Sequence, residues 1–187
     1  WAKDKEVLIV GSGPSVRKYI NEIKQYIETN NPIVLCLNIN LNIPEYLVTA
    51  YIACHETRIA IELDLYADLT KPIVLPMSRM PSEINGFLSN VDILDYGLKI
   101  EKDNLSTYDN GCILDKPLVL IYALSLLSVS GAEKISLTGI DGYEDKSLKQ
   151  KELNKAFDQF RENNHEINLL AITPTKLPIN KSFIYDL

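Results

Sequence analysis

Short runs of branched apolar residues alternate along this chain with longer stretches in which apolar positions recur every three or four residues. The runs at 6–10, 32–37, 48–53, 73–75, 91–94, 134–137 and 167–172 are dominated by Val, Ile, Leu and other apolar residues. Nearly continuous apolar runs of that length mark strands buried on both faces, because a strand with one wet face alternates. Helical periodicity fills the spaces between them. One helix is predicted over 15–28, a second begins between Gly111 and Pro117 and stops at Ser130-Gly131, and a third covers 145–164. Strand and helix in alternation make βαβ units. The expected fold is therefore α/β: a doubly wound, mainly parallel sheet with helices on both faces, Rossmann-like, in a single domain over 1–187.

The second and third helices differ in where they should sit. Leu118, Val119, Leu120, Ile121, Tyr122 and Leu124 leave the second apolar almost all round, which predicts the most buried helix, with Gly131 as its stop. The third is rich in Lys, Glu, Gln and Asn and has one apolar stripe through Leu153, Phe157 and Phe160, as an outer helix does. Residues 76–90 and 96–111 show neither period and read as long irregular loops.

A parallel sheet points the C-terminal ends of its strands at one edge, and ligands gather there. Polar residues follow the predicted strands at that edge: Gly11-Ser12-Gly13-Pro14-Ser15, Asn38 with Asn40 and Asn42, His55-Glu56-Thr57-Arg58, Met77-Ser78-Arg79, Gly139-Ile140-Asp141-Gly142-Tyr143 and Thr173-Pro174-Thr175. Their convergence predicts a binding site. In the first turn Gly11 and Gly13 permit a tight bend and close approach of a ligand, and Pro14 suits the first helical position. The N–H groups of Gly13, Ser15 and Val16 would then face a phosphate. The alternative is a glycine turn that only tightens strand-to-helix packing. The dinucleotide fingerprint Gly-x-Gly-x-x-Gly fails at Val16, and Asn38 stands where a ribose-gripping Asp or Glu is needed, which disfavours NAD and FAD. No P-loop motif occurs.

Asp109-Asn110-Gly111 precedes the buried helix and offers either a second anion site or an Asx turn that caps it. His55, Glu56 and Arg58 have the chemistry of a general base, its orienter and a phosphate clamp, although a histidine after a strand is also an ordinary loop residue. Asp141, just past a strand, can accept from a ribose or sugar hydroxyl, and Tyr143 can stack or donate. Asp141-Gly142 is equally a turn signal. Cys54 is read as core, and His165 belongs to the opposite edge.

Composition narrows the partners. Nineteen basic residues against 25 acidic ones give a net charge of -6, and no basic cluster is interleaved with aromatics, which argues against nucleic acid and anionic membrane surfaces. The nearest approach to a membrane span, 113–129, contains Asp115, Lys116 and Pro117. Cys36, Cys54 and Cys112 lie far apart, with neither a Cys-x-x-Cys pair nor a histidine at metal-ligand spacing. No metal site is expected, and a reduced, cytoplasmic setting fits best. The first residue is Trp1, as in a domain excised from a longer chain or a processed product.

Two segments carry a resemblance. VLIVGSGPSVRKY and, further along, NGCILDKPLVLIYALSLLSVSGAEKISLTGIDGY resemble bacterial sialyltransferases that decorate lipo-oligosaccharide. They equally resemble related Rossmann-type proteins of unknown function, which include motility accessory factors and a pterin pyrophosphokinase. The resemblance implies a glycosyltransferase-like domain whose ligand is a cytidine nucleotide-sugar. Gly11, Ser12, Gly13 and Ser15 would meet its phosphate and ribose, and Asn38 would help hold the nucleotide. Asn110 and Gly111 would match the small residues before the long helix, while Gly139, Asp141 and Tyr143 would line the sugar and nucleotide side. The sialyltransferases deliver a catalytic histidine from a lid where 144–166 here reads as a plain outer helix, and His55 replaces an asparagine expected past the third strand. The same GSGPS and LTGID segments are similar to the C-terminal domain of bacterial proteins from surface-polysaccharide clusters whose N-terminal part is a pyruvate-type aldolase barrel, 4-hydroxy-2-oxovalerate aldolase-like. This chain is too short to hold such a barrel, so lyase activity would belong to a barrel partner preceding it. The expected role is thus a domain that binds a small phosphate-bearing ligand, with a non-catalytic accessory domain as the alternative.

Overall fold

In the computed structural model, which describes residues 1–144 and 146–186, the apolar runs become strands of one large sheet. In chain order the strands are β1 (Glu6–Val10), β2 (Ile33–Leu37), β3 (Ala50–Ile52), β4 (Ile73–Leu75), β5 (Ile93–Asp95), β6 (Gly97–Ile100), β7 (Ser106–Tyr108), β8 (Gly111–Leu114), β9 (Lys134–Thr138), β10 (Asn168–Ala171) and β11 (Asn180–Lys181). The helices are α1 (Pro14–Lys18), α2 (Ile20–Asn30), α3 (Glu56–Ile61), α4 (Leu63–Ala67), α5 (Ser82–Phe87), α6 (Val119–Val129) and α7 (Leu148–Asn163). Eight strands form the main sheet in the order β11-β10-β9-β1-β2-β3-β4-β5. Every pairing in it is parallel. This is the expected doubly wound α/β fold.

Both faces of the sheet are covered, which is why its strands read as unbroken apolar runs. Val7 and Ile9 of β1 point into one core with Leu35, Leu137, Tyr122 and Phe157. Leu8 and Val10 point into the other with Val34, Val16, Ile59 and Tyr66. Helix α6 lies against the first core and buries Leu120, Ile121, Tyr122, Ala123, Leu124, Ser125 and Leu127. Gly131, in the left-handed region at φ +70, follows its end as the sequence anticipates. The three cysteines are buried and free. Burial pushes each thiol up to about 12, so none supplies a thiolate near neutral pH.

The structure departs from the sequence reading in four places. The helix expected over 15–28 is broken at Tyr19 (φ -114, ψ 27) into α1 and α2. Residues 76–90 hold a 3-10 turn at Met77–Arg79 and the short helix α5. Residues 96–111 are not a loop. They belong to a second sheet in which β8 pairs parallel with β6 and antiparallel with β7. That sheet covers α6 through Leu98, Cys112 and Leu114, and the Tyr96 and Tyr122 rings meet at 5.4 Å. Asp109-Asn110 is therefore the two-residue turn of the β7–β8 hairpin, and α6 begins only at Val119. Asn110 and Gly111 therefore do not stand at the start of α6, and the Asx cap expected there does not form, because Gly111 opens a strand. A Cβ there would stand 2.7 Å from the Gly97 carbonyl. The first residue of the outer helix as expected, Asp145, lies outside the described residues; α7 starts at Leu148, where the Ser147 side chain accepts from the Gln150 N–H at 3.2 Å. No described helix is long and apolar enough to cross a membrane.

Candidate functional site

The strand order reverses between β1 and β9: β2 to β5 extend to one side of β1, and β9 to β11 to the other. The chain leaves the neighbouring ends of β1 and β9 in opposite directions, and such a switch point leaves a crevice at the C-terminal edge. A cavity of about 390 Å³ opens there, within the size range of small-molecule sites. Its wall is built from residues 11–14 after β1, Leu37 and Asn38 at the end of β2, Arg58 of α3, residues 118–120 entering α6, and residues 139–143 after β9.

Of the residues singled out from sequence, Gly11, Ser12, Gly13, Asn38, Gly139, Asp141 and Tyr143 line this cavity. Ser15 is buried beside it and contacts Asp141. Asn110 and Gly111 are not among the lining residues, and neither is His55. His55 is exposed just ahead of α3, and its ring makes no hydrogen bond among the described residues. Its expected orienter, Glu56, is instead paired with Arg79 at 2.5 Å. Arg58, the third member of that trio, does reach the cavity wall. No group of three or more His, Cys, Asp or Glu among the described residues is placed to hold a metal ion.

The glycine turn is not an open phosphate cradle. The Gly11 N–H donates to the Thr138 carbonyl at 2.8 Å, Gly13 to the Gly139 carbonyl at 2.9 Å, and Val16 to the Gly13 carbonyl at 3.1 Å. The Ser15 N–H donates to the Asp141 carboxylate at 2.7 Å, and the Ser15 hydroxyl donates to its other oxygen. The donors expected to face a ligand on Gly13, Ser15 and Val16 are thus consumed within the protein. In this turn only the Ser12 N–H has no acceptor among the described residues. Asp141 serves α1 as an N-cap supplied from a distant loop, for the helix has no side-chain cap of its own. The glycines are needed so that two turns can touch. A Cβ on Gly13 would lie 2.7 Å from the Gly139 carbonyl and 2.8 Å from the Asp141 carboxylate. Two further contacts hold the pair in place. The buried Asn40 amide donates to the Gly11 carbonyl at 2.6 Å, and the Thr173 hydroxyl accepts from the Gly139 N–H at 3.1 Å.

Open donors lie elsewhere in the wall. Helix α6 has Leu118 at its N-cap and no side-chain cap. The N–H groups of Val119, Leu120 and Ile121 have no acceptor among the described residues. Asn38, at φ 55, is 7% exposed, and its carboxamide has no hydrogen-bond partner among those residues. Arg58 engages Glu62 through Nε at 3.1 Å, which leaves its terminal nitrogens uncommitted. Tyr143 is half exposed; its N–H donates to Gln150 Oε1 at 2.7 Å, and Lys149 Nζ lies 5.8 Å from its ring centroid. Sequence reasoning overlooked 118–120 as site residues. The available signal was an apolar residue directly after Pro117, where a cap is normally found.

Fold and cavity together define a doubly wound α/β domain with a crevice at its switch point. No protein-family model and no curated protein matches the chain.

Proposed function

We propose that this chain is a binding domain for a small phosphate-bearing ligand of the nucleotide-sugar class, a cytidine nucleotide-sugar being the first candidate, within bacterial surface-polysaccharide metabolism as the sialyltransferase resemblance implies. The observation that carries the reading is the cavity at the switch point, which joins Ser12, Asn38, Arg58, Asp141 and Tyr143 from separate loops. Each chemical part of such a ligand has a counterpart there. Asp141 retains lone pairs beyond those used by Ser15 and can accept from ribose or sugar hydroxyls. The half-exposed Tyr143 ring offers a stacking face for a base. Arg58 supplies positive charge for a phosphate. The buried free cysteines fit a cytoplasmic setting.

Binding is better supported than transfer chemistry. His55 does not line the cavity, and Asp141 is held by Ser15. That pair of observations favours a second reading, a non-catalytic accessory domain; the resemblance would attach it to a pyruvate-type aldolase barrel, any lyase activity residing in the barrel. Thermal-shift measurements with cytidine nucleotides, other nucleotide-sugars and simple sugar phosphates test the proposal. A ligand held by the native state alone at about 100 times its Kd adds about 2.7 kcal/mol, a rise of several degrees. A rise with a nucleotide-sugar supports the binding reading; no rise with any of them leaves only the accessory one.

A further inference from the structure

We infer that the anionic group of the ligand docks on the first turn of α6, together with Arg58 and Asn38, and not on the glycine turn. This rests on the cavity being a ligand site and goes further by assigning its anion subsite. The glycine turn is poorly placed for an anion, since four of its donors, all but the Ser12 N–H, point at backbone carbonyls or at Asp141, and the end of α1 already holds a carboxylate. A second negative group there would face repulsion. Helix α6 runs for 11 residues, long enough to develop the partial positive charge of a helix N-terminus. Its first three N–H groups, on Val119, Leu120 and Ile121, are unclaimed, and Leu118, Val119 and Leu120 line the cavity. Asn38, a residue 7% exposed in the same wall, has a carboxamide that opens to the cavity and has no hydrogen-bond partner among the described residues, an independent sign that a ligand atom belongs there. Its Nδ2 donates to an anion oxygen, and the terminal nitrogens of Arg58 supply the compensating charge. The cavity then reads as a polar pair of subsites, anion at α6 and hydroxyls at Asp141. That pairing selects a phosphorylated or carboxylated polyol over a plain dicarboxylate or a neutral sugar.

Amide shift mapping on the isotope-labelled chain, titrated with inorganic phosphate against chloride of equal ionic strength, tests this. Saturable shifts of Val119, Leu120 and Ile121 and of the Asn38 side chain are expected, with smaller ones at Gly13, Ser15 and Val16. Arg58→Gln should weaken phosphate binding about tenfold, the loss of one charge-assisted hydrogen bond. Shifts concentrated on the glycine turn, no saturable shift at α6, or unchanged affinity in Arg58→Gln would each overturn the assignment. Phosphate seated on α6 while every cytidine nucleotide fails to bind supports the subsite and removes only the broader nucleotide-sugar reading. A nucleotide that binds and leaves the α6 amides unmoved does the reverse.

Discussion

The carboxylate of Asp141 accepts the backbone N–H of Ser15 at 2.7 Å across 126 positions of sequence, and takes the Ser15 hydroxyl as well. One residue therefore caps α1, ties the β9 turn to the β1 turn and forms part of the cavity wall. Removing it leaves a buried donor unpaired. Asp141→Ala should lower stability by about 1–3 kcal/mol, read as a shifted midpoint in urea unfolding with unchanged slope. Ser12→Ala, whose exposed side chain makes no hydrogen bond among the described residues, should stay within about 0.5 kcal/mol of wild type. An Asp141 variant as stable as the parent would mean that the carboxylate serves a ligand alone.

The glycines separate architecture from recognition in the same way. Gly139 sits at φ +70, and a Cβ there would collide with Val16 and stand 2.7 Å from the Gly11 carbonyl. Gly139→Ala should cost about 2–4 kcal/mol, from left-handed backbone strain plus overpacking. A Cβ added to Gly86 in α5 would meet nothing within 4 Å, so Gly86→Ala should gain about 0.5–1 kcal/mol from helix propensity. Equal effects at the two positions would contradict the account of the paired turns.

His55 lies outside the cavity and is exposed. His55→Ala should change neither the melting temperature nor the affinity for any ligand that Asn38→Ala weakens. Loss of binding in His55→Ala, with the fold intact by circular dichroism, would restore it to the site.

At the far end of β1, Glu6 accepts from Ser136 at 3.0 Å and from Lys134 at 3.0 Å, and also from the Tyr26 hydroxyl. Burial alone raises its pKa, but these three hydrogen bonds outweigh it and hold the carboxyl below its usual 4.5. A depressed folded pKa gives stability that is complete above the unfolded value and is lost as pH falls through the folded one. Wild type should therefore lose stability more steeply than Glu6→Gln below about pH 4.5, the unfolded carboxylate range. Parallel acid-unfolding curves for the two proteins would show that Glu6 does not contribute this way.

How far the sequence reaches is clearest at particular residues. The main sheet was legible because burial on both faces writes itself as unbroken runs such as 7–10 and 134–137, and α6 because a helix apolar all round has only one place to go. The edge where polar tips gather follows from parallel strands alone, and it brought Ser12, Asn38 and Asp141 to one cavity. Partnering was hidden. Nothing local in Gly-Ser-Gly-Pro-Ser says that its donors meet a carboxylate from the distant Asp141 loop and the carbonyls of Thr138 and Gly139. The small sheet escaped because β6, β7 and β8 are three or four residues long, too short to show a period. Asp109-Asn110-Gly111 between Ser-Thr-Tyr and Cys-Ile-Leu was nevertheless a turn signal, and reading it as a hairpin would have moved the start of α6 to Leu118 and its neighbours.

The most direct measurement is a crystal structure of this chain grown with a cytidine nucleotide-sugar. Density for the ligand should lie in the switch-point cavity, with its hydroxyls at Asp141, its base against Tyr143 and its phosphate at residues 119–121. An empty cavity at saturating ligand, or a ligand bound on another face of the sheet, would contradict the account.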